Sequence, residues 1–145
     1  MSATTITIVG NIVDRPEMRR LDGDVDVVNF RVASTARRFD RTSGQWVDAS
    51  SLFVRVVCWR ALASNVATSM QKGDPVIVTG RLQTRRFVQN DQPQSREELE
   101  ATAVGPDLAR GTAQFVRSRS AEAIHGAAPV EAGAAPGVGE AGVAA

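Results

Sequence analysis

One cysteine and one histidine in 145 residues deny this chain most kinds of site chemistry at the outset. Cys58 has no partner for an internal disulfide, and its place in a strand-like run reads as a small buried hydrophobe. Cys58 and His125 cannot supply the ligands of a zinc site. A nucleophilic pair made from the same two residues would have to join a strand to the edge of the C-terminal tail. The carboxylates fall mostly in turns, and no spacing forces two of them into one cleft. Glycines form no phosphate loop, because Gly10-Asn11 leads into a turn at Pro16 instead of a helix. No catalytic residue, metal or cofactor is therefore expected. No run approaches the roughly 18 apolar residues of a spanning helix, and no signal peptide precedes the first strand. The expectation is a cytoplasmic protein.

Lysine is almost missing too: Lys72 is alone among 17 basic residues, and the others are arginine. Arginine carries a planar fork that can hold a phosphate and also stack on a base. The net charge is only +1, but Glu131 and Glu140 are the sole charges in residues 126–145, which leaves +3 on the preceding 125. With 43% apolar residues the chain has enough material for one core.

The β-branched run Thr4 to Val13 predicts a first strand. Turns are expected at Asp14 to Glu17 and at Asp22 to Asp24. Val25 to Ser34 alternates, with Val28, Phe30 and Val32 on one face and Val27, Asn29, Arg31 and Ala33 on the other. The segment from Thr35 to Ser51 is a long cationic loop with Gly44 at its tip, or else a hairpin extension that could close over a ligand. Leu52 to Trp59 is the third strand, and Ala61 to Met70 is a short helix with Leu62, Val66 and Met70 on one face. Val76 to Phe87 follows as a long fourth strand with Gly80 at a bend or bulge. Arg96 to Val104 makes a weaker fifth. Three strands, a helix and two strands give an all-β fold, a five-stranded OB-fold barrel with one short helix between strands three and four. It is expected to occupy residues 1–108. Residues 109–125 form a short marginal segment, and a marginal helix is expected within 107–125. Residues 126–145, poor in large side chains, form a flexible tail.

The aromatics sit among the arginines. Phe53, Arg55, Val57 and Trp59 share one strand face, while Leu52, Val54, Val56 and Cys58 make a small apolar face suited to the interior. In the fourth strand Arg81, Gln83, Arg85 and Phe87 oppose an interior set of Val76, Val78, Leu82 and Thr84. Phe30 belongs to the core. Arg41 has the plain alternative of a solvated loop charge. Bases need a flat stacking partner and phosphates need a cation, so this pattern points to single-stranded nucleic acid. Stacking barely distinguishes bases, and duplex DNA hides their faces. The residues themselves do not separate DNA from RNA. Candidate contacts are Arg31, Arg37, Arg38, Phe39, Arg41, Trp46, Phe53, Arg55, Trp59, Arg81, Arg85, Arg86 and Phe87.

An ordered series of segments resembles the bacterial single-stranded DNA-binding proteins, of the actinobacterial type. It comprises Thr-Ile-Val-Gly-Asn-Ile (7–12), Pro-Glu-Met-Arg (16–19), Val-Val-Asn-Phe-Arg-Val-Ala-Ser-Thr (27–35) and Phe-Asp-Arg-Thr-Ser-Gly-Gln-Trp (39–46). It continues through Phe-Val-Arg-Val-Val-Cys-Trp-Arg (53–60), Leu-Ala-Ser-Asn-Val (62–66) and the stretch from Lys72 to Arg85. The resemblance implies one OB domain per chain, a homotetramer, and single-stranded DNA wrapped around it, with stacking on Phe53, Trp59 and Phe87. A further family aromatic falls on Arg38 or Phe39; Phe39 is favoured, with Arg38 as a phosphate or stacking contact. Val54 stands where several members have a histidine. The end, Gly-Glu-Ala-Gly-Val-Ala-Ala, lacks the family's acidic tip and its terminal hydrophobe. Gln89 to Glu98 also departs from the family pattern. The resemblance is thus to a secondary paralogue, and it does not extend to recruiting the usual partners through that tip. The implied function is sequence-nonspecific binding and protection of single-stranded DNA in replication, recombination or repair, at the nucleoid. The alternative is a structural or protein-interaction OB module with weak nucleic-acid affinity.

Overall fold

A computed structural model describes residues 3–118. Six strands and one helix run in the order β1 (Thr4–Ile12), β2 (Glu17–Leu21), β3 (Val25–Asp40), β4 (Gln45–Trp59), α1 (Arg60–Ser69), β5 (Pro75–Gln89) and β6 (Gln92–Pro106). All belong to one compact unit, Met1–Ala113. The strands form a single sheet in the order β1-β5-β6-β4-β3-β2, and β1 also pairs with β3 through Asn11↔Ala33 and Ile12↔Val32. The fold is OB-like, but the expected five-stranded barrel is corrected to a six-stranded sheet. The helix accordingly falls between the fourth and fifth strands.

The added strand is β2, which begins at Glu17, where a turn was expected. It pairs with β3 from Glu17↔Asn29 to Leu21↔Val25, and all its residues are exposed. Backbone pairing makes it a strand without any burial, so its sequence carries no alternation to read. The long loop is likewise strand: β3 and β4 continue past the core as a hairpin arm pairing out to Asp40↔Gln45. Asp40 closes its turn, accepting hydrogen bonds from the Thr42 amide and the Ser43 hydroxyl.

The core draws on alternate residues of five strands and one helical stripe, with Ile8 and Ile12 supplied by β1. Val28, Phe30 and Val32 of β3 meet Val54, Val56 and Cys58 of β4, Val76 and Val78 of β5, and Leu99 of β6. Ala63, Val66 and Met70 of α1 are buried in the same cluster, with Leu62 packed at its margin. The interior stops short of the strand ends, however. Leu52, expected inside, is 56% exposed, Leu82 is only half-buried and Thr84 is exposed. Each keeps the inward parity of its strand but lies where the hairpin has passed beyond the core. Residues 107–118 contain neither helix nor strand, and the rest of the expected helix, like the tail from 126, lies outside the described residues.

Burial pushes the Cys58 thiol up to about 12. The unfolded thiol ionises near 9.0 and the folded one near 12, so the stability this group contributes is complete below 9.0 and is lost as pH climbs to about 12. A thiol reagent at mildly alkaline pH is expected to spare Cys58 in the folded chain and to label it quickly in denaturant. Equal labelling rates would contradict its burial.

Candidate nucleic-acid interface

The face of the sheet opposite the core collects most of the candidate residues. Paired residues of neighbouring strands share a face, so the register decides which side chains stand together. Arg31 of β3 pairs with Arg55 of β4, Arg55 with Glu98 of β6, and Glu98 with Gln83 of β5. The next outward row toward the helix runs Asn29, Val57, Glu100 and Arg81. Phe53 pairs with Ala33, Trp59 with Val27, and Arg85 with Arg96. Phe53 is 58% exposed, while Trp59 and Phe87 are half-buried.

Trp46 reaches this face only through an irregularity. Counting alternately back from Phe53 would put residue 46 on the opposite side. Between Ala36↔Ser50 and Arg37↔Asp48, however, β4 carries one extra residue, Ala49, and the count resets. Trp46 then pairs with Phe39 on the same face as Phe53. Their rings meet edge-to-face with centroids 5.7 Å apart, and both remain largely exposed, at 48% for Phe39 and 60% for Trp46. Such a contact holds the pair in place while leaving ring surface open. Arg37 supports it from the same face, donating to the Trp46 carbonyl at 3.0 Å. Arg38 and Arg86 pair with Val47 and Ser95, on the reverse sides of their hairpins, and Arg41 lies in the turn. The register does not bring these three to the face.

The electrostatics of the face were not anticipated. Most of its arginines are paired with acids, Arg85 being the exception. Asp14 accepts two hydrogen bonds from Arg31, at 2.8 and 3.0 Å, and that guanidinium holds its carboxyl below the usual range. Arg37 lies 3.3 Å from Asp48, Arg55 lies 3.5 Å from Glu98, and Arg81 pairs with Glu100. Arg96, absent from the candidates, pairs with Glu98 at 3.0 Å and lies over the Phe87 ring, 4.9 Å from its centroid. Glu98 and Glu100 lie in the expected weaker fifth strand. Their shared parity, 98 with 100, was the available signal that they belong to the outer face. No group of His, Cys, Asp or Glu able to hold a metal occurs among the described residues, and no helix among them is long and apolar enough to cross a membrane.

Exposed rings interleaved with guanidiniums on the open face of an OB-like sheet define a module for binding nucleic acid in unpaired form. Comparison with known proteins makes this specific. The chain belongs to the single-strand binding protein family, which matches residues 3–107. It is 46% identical over 112 residues to the single-stranded DNA-binding protein of Mycolicibacterium smegmatis, covering 77% of this chain and 68% of that one. Among solved structures, the small single-stranded DNA-binding protein of Streptomyces coelicolor matches with a TM-score of 0.66 and 40% identity, over 77% of this chain and all of that one. The second single-stranded DNA-binding protein, SSBb, of Mycobacterium smegmatis matches with a TM-score of 0.62 and 40% identity, over 80% of this chain and all of that one.

Proposed function

We infer that this protein binds single-stranded DNA without sequence preference, stacking bases on Phe53, Trp59, Phe87 and the Phe39–Trp46 pair and holding phosphates with the surrounding arginines. The observation that carries the reading is the gathering of these rings on one solvent-facing side of the sheet, in a chain of the single-strand binding family. Arg31, Arg37, Arg55, Arg81 and Arg85 flank the stacking path. Arg38, Arg41 and Arg86, with no carboxylate within ion-pair distance among the described residues, supply phosphate contacts along the hairpin arms. Residues 1–108 are the binding domain, and the role is to cover and protect single strands in replication, recombination or repair, in the cytoplasm at the nucleoid. The working form is a homo-oligomer, a tetramer by family resemblance. Val9 and Ile77, cross-strand partners exposed on β1 and β5, offer apolar surface for a second copy to cover.

Titrating the intrinsic fluorescence of Trp46 and Trp59 with oligothymidine tests the reading. Strong quenching that weakens with added salt is expected, because each phosphate neutralised releases a counterion. No change at micromolar protein would sink it and leave a protein-interaction module. Solution mass, measured with the DNA length occluded per particle, separates a wrapping tetramer from a smaller clamp.

A further inference from the structure

Strand β6 carries the only charged side chain buried among the described residues, Glu98, at 3% exposure. Its Oε2 lies 3.0 Å from Arg96 Nε and 3.5 Å from Arg55 Nε. A carboxylate withdrawn from water is costly unless cations and hydrogen bonds compensate it. Two guanidiniums do so here, but unevenly. Arg55 Nε is itself buried and has no hydrogen-bond acceptor, so a donor inside the basic face stays unfilled. Arg96 is better satisfied, held between Glu98 and the Phe87 ring. Two residues along the strand, Glu100 pairs with Arg81 directly across the β5–β6 ladder. The acids stand inside the basic face, not around its rim.

We propose that Glu98 and Glu100 are internal counter-anions that set how strongly this face holds phosphate. The proposal rests on the single-strand reading above. A phosphate arriving at Arg55, Arg81 or Arg96 meets a guanidinium already shared with a carboxylate. The like charges, a few ångströms apart, oppose each other in a site of reduced dielectric. Stacking then supplies most of the hold, and the protein binds a strand less tightly, and with a shallower dependence on salt, than its count of arginines implies. Glu98 also positions Arg96 over Phe87, which is why the conservative substitution is the informative one.

Glu98→Gln retains the side-chain volume and an oxygen that can accept from Arg96 while removing the charge. It is expected to bind oligothymidine roughly tenfold tighter at low salt. The slope of log affinity against log salt is expected to steepen by about 0.7, the value for one further phosphate charge on a single strand. Glu100→Gln, at the more open pair, is expected to shift both quantities the same way by less. It carries the test if thermal unfolding shows that Glu98→Gln does not fold. A purely structural role would lower stability without steepening the slope. Wild-type binding accompanied by folded variants that bind no tighter, on an unchanged slope, overturns the role of the two acids alone. Failure of wild type and variants alike to bind overturns this proposal together with the reading beneath it.

Discussion

Phe53→Ala is expected to weaken oligothymidine binding by about 1–3 kcal/mol, roughly 5- to 150-fold, with little change in unfolding temperature. The ring is 58% exposed and absent from the core cluster, so truncation removes a stacking surface without opening a cavity. Its neighbour provides the control. Leu52 is exposed to nearly the same extent, 56%, but successive side chains of a strand point to opposite faces. Leu52→Ala removes comparable apolar surface from the reverse side of the same hairpin, and its affinity is expected to stay near wild type. Equal losses from the two variants would mean that the strand contributes general hydrophobic surface instead of an oriented platform. No loss from Phe53→Ala would remove the residue from the path altogether.

The contrast between these neighbours also marks how far the sequence could be read. In β3 the alternation of Val28, Phe30 and Val32 against Asn29 and Arg31 gave the buried face correctly, because the main core cluster lies on that side, although Val27 of the opposite parity is buried too. The outer placement of Phe53 and Trp59 followed from the same count. Alternation gives a face, however, and not the point where the core ends. Leu52 and Thr84 keep inward parity in arms that nothing covers. Strand β2 escaped notice because backbone pairing with β3, not burial, makes it a strand. Trp46 had to be placed by register, since the extra residue Ala49 breaks any count along β4. The ion pairs were hidden for a related reason: Arg55 meets Glu98, and Arg81 meets Glu100, only once β6 has been laid beside β4 and β5. Cross-strand chemistry becomes visible when the register is known, and a single sequence rarely supplies that.

Gly80→Ala is expected to be among the most damaging small substitutions in the domain, lowering stability by roughly 3 kcal/mol or more. A Cβ built on Gly80 would sit 2.1 Å from the Glu100 carbonyl oxygen and 2.8 Å from the Ala101 Cα. Both are backbone atoms in a paired strand, so no side chain can swing aside to make room. For a domain near this size, where 1 kcal/mol moves the unfolding midpoint by several degrees, the loss corresponds to a fall of about 10 °C. Gly105→Ala is the matched control: it lies on β6, its added Cβ would meet nothing within 4 Å, and its midpoint is expected to stay close to wild type. The damage should reach the binding face as well. β5 and β6 shift register between Thr79 and Gly80, and that shift sets Arg81 opposite Glu100, Gln83 opposite Glu98 and Phe87 opposite Gln94. A strand pushed away at Gly80 loosens this ladder at its origin, so DNA affinity should fall in Gly80→Ala even at temperatures where the chain remains folded. If calorimetry finds Gly80→Ala as stable as Gly105→Ala, the close approach of β5 to β6 is wrong. The register on which the face depends would then be wrong with it.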